Sequence, residues 1–323
     1  MAGIFRRTRG RTEPVEETPE AEERPRRELK PDPDRIGISG AVPFARLPDP
    51  ARLFSDRAAR LRSLAPDHPL GGYLDFLAHI AEAQAGVQAA MTVAVPADTA
   101  LRAEHGMPPL SAALLRDDPA FLEGLDRLLA SVDLSATPEA TRLARDALRA
   151  ASPEDRLDLA AQVFEGAFPL ERMGECVFAA AALQVYLSVQ AARLDLASLK
   201  PVADGVCPCC GGAPVASLVV GWTPADKARY CACSLCGTLW NHVRIRCTAC
   251  GSGEGISYYG LDEVSKDVQV ETCTACNSYL KHLHQHRDPA LDPVADDVAS
   301  YGLDLKIAEE GFRRAGLNPL FIA

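Results

Sequence analysis

Eight of the eleven cysteines in the chain fall in four Cys-x-x-Cys knuckles. They are Cys207-Pro208-Cys209-Cys210, Cys233-Ser234-Leu235-Cys236, Cys247-Thr248-Ala249-Cys250 and Cys273-Thr274-Ala275-Cys276. Two intervening residues let one tight turn aim both sulfurs at a single cation, and two such turns complete a tetrahedron with bonds of about 2.3 Å. Three knuckles are followed by glycine (Gly211, Gly237, Gly251) and the fourth by Asn277. Those residues accept positive φ, which lets the chain turn beneath the sulfur and present its amides. A four-thiolate site suits zinc and equally a rubredoxin-type iron.

The knuckles repeat. Adding 40 to positions 207, 210, 233 and 236 gives 247, 250, 273 and 276 without exception. Within each half 22 residues separate the knuckles, and only ten lie between the halves. The register extends to Gly237-Thr238 against Asn277-Ser278 and to His242 against His282. A fixed period indicates one structural unit used twice. Each unit is therefore expected to close its own site. Cys207, Cys210, Cys233 and Cys236 would hold one metal, and Cys247, Cys250, Cys273 and Cys276 the other. The rival pairing, second knuckle with third, strands the outer two at opposite ends of the module.

Three cysteines fall outside this pattern. Cys209 and Cys231 have Ala249 and Glu271 as repeat mates, so ligand geometry does not require them. Cys176 lies in an apolar run and reads as a buried, inert thiol. His242, His282, His284 and His286 sit near the knuckles, but four thiolates per site leave no position for them. His68, His79 and His105 have no cysteine or carboxylate cluster beside them and read as ordinary helix-edge histidines. Trp222, Trp240, Tyr258 and Tyr259 are expected to form the small cores of the units.

The elements that must position these residues divide the chain. Residues 1–38 are a charged tail, expected to be disordered: its first 35 residues carry nine basic and nine acidic side chains and almost nothing to bury. Residues 39–200 read as a helical domain. Apolar residues recur at helical spacing in 50–64, 70–91, 120–132, 138–150, 153–164 and 170–199. Asp49 is placed to cap the first, and Asp118, Thr137 and Ser152 each precede a proline, a start signal. The last stretch, with Val177, Phe178, Leu183, Tyr186 and Leu187, is apolar all round and belongs at the bundle centre. At Pro201 the character changes to cysteine, glycine and short β-favouring runs at 216–220, 243–246 and 256–259. Residues 201–288 form the tandem metal-binding module, and 289–323 a C-terminal helix and tail, with the helix over 293–315. The fold class is thus α plus small β: a helical bundle, two rubredoxin-like or zinc-ribbon units, then a helix.

Composition excludes several roles. The formal charge is −10, and two divalent tetrathiolate sites would bring it to about −14. Residues 201–290 hold seven basic and eight acidic side chains, so the footprint of a nucleic-acid-binding ribbon is missing. No apolar run of about 18 residues is evident, so membrane insertion is not expected. Arg6-Arg7 is not followed by the apolar stretch that an export signal needs. A cytoplasmic location follows, where reduced thiols act as ligands rather than disulfides. No open coordination position or carboxylate–histidine pair supports hydrolysis, so an enzyme is not expected. One-electron transfer at a tetrathiolate iron is the alternative that chemistry leaves open.

The residues resemble the formate dehydrogenase accessory proteins, the FdhE family. The likeness is carried by Cys207-Pro-Cys-Cys210-Gly211, Arg229-Tyr230 before Cys233, and Trp240 with Val243-Arg244 leading into Cys247. It continues through Ser257-Tyr258-Tyr259-Gly260-Leu261-Asp262, Glu271-Thr272-Cys273, Tyr279-Leu280-Lys281, Asp288-Pro289 and residues 294–300. It ends on Asn318-Pro319-Leu320-Phe321, and extends into the helical part at 57–64, His68-Pro69 and 73–84. The extra Cys209 and Cys231 and the long charged tail depart from it. The resemblance implies a cytoplasmic factor that formate dehydrogenases need to become active, binding the molybdenum-containing catalytic subunit. It implies iron or zinc in rubredoxin-like sites, with only the eight knuckle cysteines given a role, as ligands.

Overall fold

The computed structural model describes the backbone of Phe5–Thr8 and residues 41–322 apart from 95 and 263. Most of the tail expected to be disordered lies outside the described residues. Its segment Phe5–Thr8 departs from that expectation by forming a strand, β1.

After a short strand β2 (Ala45–Arg46), the helical part runs α1 (Leu53–Leu64), α2 (Gly71–Ala90), α3 (Thr99–Glu104), α4 (Leu114–Asp117), α5 (Ala120–Ser131), α6 (Glu139–Ala150), α7 (Pro153–Phe164) and α8 (Met173–Ala191). Where the start signal is complete, the boundary matches the sequence. Ser152 accepts from the Asp155 amide at 3.1 Å with Pro153 in the first turn. Thr137 makes no such cap and instead donates to the Leu134 carbonyl at 2.8 Å. Helices α3 and α4 are too short for their periodicity to be read.

Helix α8 lies at the centre, with α2, α5, α6 and α7 packed around it. It ends eight residues before the expected Leu199, and a separate turn over Leu196–Ser198 follows. The stretch Leu170–Ala191 has the length and hydropathy of a membrane span, which the sequence reading did not register. In the fold, 72% of that window is buried among its neighbours. Side-chain amides of α2 meet its polar groups: Gln84 Nε2 donates to the Ala181 carbonyl at 2.9 Å and Gln88 Nε2 to Ser188 Oγ at 3.0 Å.

The module forms two three-stranded antiparallel meanders. The first is β3 (Pro214–Val219), β4 (Arg229–Cys233) and β5 (Leu239–Asn241); the second is β6 (Ile256–Leu261), β7 (Val268–Cys273) and β8 (Ser278–Leu283). Strands β8 and β3 pair in parallel at Ser217↔His282 and Leu218↔Leu283. One continuous sheet results, ordered β1-β6-β7-β8-β3-β4-β5-β2. Parallel pairing at the junction is what head-to-tail repetition of one unit demands. The run 243–246, expected as a strand, is a loop with Val243 and Ile245 exposed. Its carbonyls are taken by the Arg229 guanidinium instead of a neighbouring strand.

The C-terminal helix expected over 293–315 is broken into α9 (Ala295–Ala299) and α10 (Tyr301–Glu309), followed by β9 (Arg313–Arg314) beside β8. The break falls at Ser300, whose backbone leaves the helical region at φ −99° and ψ 25°; its hydroxyl donates to the Asp296 carbonyl at 2.6 Å beside its own amide at 3.0 Å. Nor does the module stand apart from the bundle. Cys207, Cys209, Cys210, Cys233 and Cys236 belong to the same buried apolar cluster as Leu77, Leu125 and Leu183. The first unit thus shares its core with the helices.

Candidate metal centres

Each knuckle turns on a residue in the left-handed region: Gly211 at φ +77°, Gly237 at +73°, Gly251 at +70° and Asn277 at +51°. The turn is closed by the backbone, with Gly211 N donating to the Cys207 carbonyl at 2.9 Å and Gly251 N to Cys247 at 3.0 Å. A side chain at Gly237 would bring Cβ within 3.0 Å of Leu53 Cδ2. Gly237→Ala is therefore expected to cost about 1–2 kcal/mol from handedness alone. Asn277→Gly should leave stability within about 0.5 kcal/mol of the parent. Chemical denaturation of the metal-loaded protein measures both.

The turns bring the sulfurs together in two quartets, Cys207, Cys210, Cys233 and Cys236, and Cys247, Cys250, Cys273 and Cys276. In each, the four Sγ atoms lie within 4.8 Å of one another. The first shows Cys207–Cys236 at 3.6 Å and Cys210–Cys233 at 3.4 Å; the second shows Cys247–Cys276 at 3.7 Å and Cys250–Cys273 at 3.8 Å. A tetrahedron with metal–sulfur bonds of about 2.3 Å has edges of about 3.8 Å. The residues fit a tetrathiolate ion. Knuckles one and two share a quartet, as do three and four, so the rival pairing does not occur.

Polar groups around the sulfurs favour the thiolate form. The amides of Leu235 and Cys236 each donate to Cys233 Sγ at 3.4 Å, and Ala249 N donates to Cys247 Sγ at 3.3 Å. The matched hydroxyls occupy equivalent positions but not equivalent roles: Ser278 lies 2.9 Å from Cys276 Sγ, whereas Thr238 accepts from Cys236 Sγ at 3.2 Å. Burial opposes ionising Cys236, yet the thiols of Cys207, Cys209, Cys210 and Cys233 turned toward it hold it well below the ordinary thiol value. Cys276 is drawn down to about 7, against burial, by Ser278 and its three partner thiols.

The two sites differ in exposure. All four sulfur residues of the first are buried, whereas Cys250 is exposed and Cys276 half-buried in the second. The bundle covers the first site: Leu110 N donates to the Cys209 carbonyl at 2.9 Å, and Gln184 Nε2, from α8, to the Ser234 carbonyl at 2.8 Å. Cys209 packs against it, accepting from Thr238 Oγ1 at 3.3 Å. Cys231 is fully buried in β4, where burial pushes its thiol up to about 12. Cys176 is buried in α8 and raised to about 11 by the same cause. Neither has the profile of a reactive thiol.

No histidine belongs to either quartet. His282 bonds Ser217 Oγ at 2.9 Å and His284 bonds Gln269 Oε1 at 3.1 Å. Burial holds the first well below the ordinary imidazole value and the second down to about 4. Sequence reasoning missed one group. Arg229, fully buried, pairs with Glu271 at 2.7 Å and joins the two units. The signal was present in the departures from the repeat, since Arg229 is matched by Gln269 and Glu271 by Cys231.

Three models of one family match consecutive parts of the chain: "FdhE, N-terminal" over residues 42–204, "FdhE, central domain" over 206–244 and "FdhE, C-terminal domain" over 245–321. The chain belongs to the FdhE family. A protein FdhE homolog of Rhizobium meliloti (strain 1021) is 40% identical over 299 residues, 91% of this chain and 98% of the relative. One from Haemophilus influenzae (strain PittEE) is 35% identical over 287 residues, 88% of this chain and 93% of the relative. The crystal structure of the FdhE protein from Pseudomonas aeruginosa superposes with a TM-score of 0.78 at 33% identity, covering 86% of this chain and 98% of that one. The FdhE boundaries fall between the quartets: the central model holds the first, and the C-terminal model holds the second together with α9 and α10.

Proposed function

We propose that this chain is an accessory factor in the maturation of formate dehydrogenase, acting in the cytoplasm on the dehydrogenase's catalytic subunit. Each quartet holds one iron or zinc ion, and the metals stiffen the surface that engages the subunit. The observation that carries this reading is the match to FdhE in all three parts of the chain, with both quartets in place. Four sulfurs fill a tetrahedral site and leave no open position, which suits a structural ion and not hydrolysis. A cleft of about 760 Å³ between α1 and the sheet has Cys233 of the first site in its lining. Its cations Arg57 and Arg60 are already tied to Asp292 and Asp296.

The test is capture of the catalytic subunit by the purified protein, with metal analysis of the same sample. The parent should retain the subunit and about two ions per chain. Cys247→Ser with Cys250→Ser should lose at least one ion and fail to support dehydrogenase activity. Unchanged metal content and activity in that variant would sink the reading. A red protein with a reversible one-electron couple would put electron transfer first, and recovery of DNA or RNA would put nucleic-acid binding first.

A further inference from the structure

The two quartets are alike in geometry but not in what holds them. The knuckles of the first are tied to the helical bundle through Gln184 and Leu110. The knuckles of the second are tied to the first unit, and the turn after the fourth also to β9, where Arg313 N donates to the Asn277 carbonyl at 2.8 Å. Arg229 stands in β4, four residues before Cys233, yet its guanidinium spends its donors on the other site. Nη1 donates to the carbonyls of Val243, Arg244 and Arg246 at 3.4, 3.4 and 3.0 Å, the loop entering the third knuckle. Nη2 donates to Thr248 Oγ1 inside that knuckle at 3.1 Å, and to Glu271, two residues before Cys273, at 2.7 Å. A single buried fork thus reaches toward both knuckles of the second quartet. Glu271 is held in turn by the Tyr258 hydroxyl at 2.8 Å. The chain ahead of the first knuckle adds to this seat. Asp204 pairs with Arg246 at 3.3 Å, and Gly205 lies so close that a Cβ there would be 2.6 Å from the Thr248 carbonyl.

We propose that Arg229 is a positioning residue through which the folded first unit builds the second metal site, so that the sites fill in order, first then second, and empty in reverse. The asymmetry follows from the direction of the contacts. The bundle can shape the first quartet without the second unit. The second quartet has its entry loop, one knuckle residue and its Glu271 strand set by a side chain that β4 must first place. The greater exposure of Cys250 and Cys276 acts in the same sense, since a chelator reaches those sulfurs directly. The proposal rests on the quartets holding metal, and its test separates the two ideas.

The full chain is loaded with cobalt(II), whose thiolate absorption reports each site, and mixed with excess chelator. The expected result is release in two phases of one ion each, with the faster phase absent from Cys247→Ser/Cys250→Ser. Arg229→Lys keeps the charge but loses the fork. It should speed the faster phase at least about tenfold and leave the slower within about twofold, a selectivity that general destabilisation does not produce. Cys207→Ser/Cys210→Ser should retain well under one ion, whereas Cys247→Ser/Cys250→Ser retains one. Hydrogen exchange on the unaltered protein during chelation covers the case in which Arg229→Lys does not fold: protection should be lost over 247–283 before 207–241. Reverse or simultaneous loss overturns the ordering. So does an unchanged faster phase in Arg229→Lys, or a full second ion in Cys207→Ser/Cys210→Ser. A parent that takes up two ions and releases them at equal rates overturns the ordering alone. One that takes up none overturns the metal reading with it.

Discussion

Replacing Cys207 and Cys210 with serine is expected to unfold the sheet of the protein while leaving most of its helices in place. A structural tetrathiolate ion contributes on the order of 10 kcal/mol to folding, as much as the whole net stability of many domains, about 5–15 kcal/mol. The first quartet also sits inside the shared apolar cluster, so its loss opens β3, β4 and the covering residues Leu110 and Ser234 to water. The bundle keeps its own core in Leu74, Leu77, Ile80, Phe121, Leu125, Phe178 and Leu183. Far-ultraviolet circular dichroism should therefore retain most of its helical signal, while amide protection disappears from β3 to β8. Retained protection across the sheet in the metal-free variant would show that packing alone holds the module.

The second large effect is expected at Lys281, which is fully buried in β8. Its ammonium pairs with Asp304 at 2.5 Å and Asp297 at 3.3 Å, and donates to the Asp297 carbonyl at 2.6 Å. Arg314 closes the group on Asp297 at 2.6 Å, and Asn318 Nδ2 donates to Asp297 at 2.9 Å. This cluster clamps α9, α10 and β9 onto the second metal unit. Lys281→Met leaves two buried carboxylates sharing one cation, Arg314, beside the neutral donors Asn318 and Tyr279, which costs about 3–5 kcal/mol. Adding Asp304→Asn should recover a substantial part of that loss, as removing an uncompensated charge requires. Burial opposes ionising Asp297, but Lys281 and Arg314 outweigh it and hold its pKa below the ordinary 3.8. Its contribution is therefore complete above pH 3.8 and fades as acid protonates it below that value. Equilibrium denaturation of the two variants against the parent, at neutral pH and constant metal, measures the effect. A loss below about 1 kcal/mol in Lys281→Met would remove the clamp from the account.

What could be read from the sequence was local or periodic. The quartets followed from a 40-residue offset, and the left-handed turns from glycine or asparagine after each knuckle. Helix α7 followed from Ser152 and Pro153, and the central place of α8 from its apolar circumference. The misreadings have two causes, one distant in sequence and one local. The 243–246 run has β-favouring side chains, but Arg229, 14 to 17 residues away, claims its carbonyls. The C-terminal helix has an unbroken apolar period, but the backbone turns out of the helical region at Ser300. A buried arginine looks like any other in a string of residues, and only its mismatch with Gln269 marked it. Where the two units are identical they gather four sulfurs; at Arg229, Thr248 and Glu271, where they differ, they touch each other.

The central claim is that each half of a duplicated module wraps one ion in four sulfurs. X-ray absorption at the metal edge of freshly purified protein, with elemental analysis of the same sample, addresses it directly. The account requires about two ions per chain in an all-sulfur shell of four ligands near 2.3 Å. Fewer than about one ion per chain in a protein whose sheet is folded, or a shell containing nitrogen or oxygen, would contradict it.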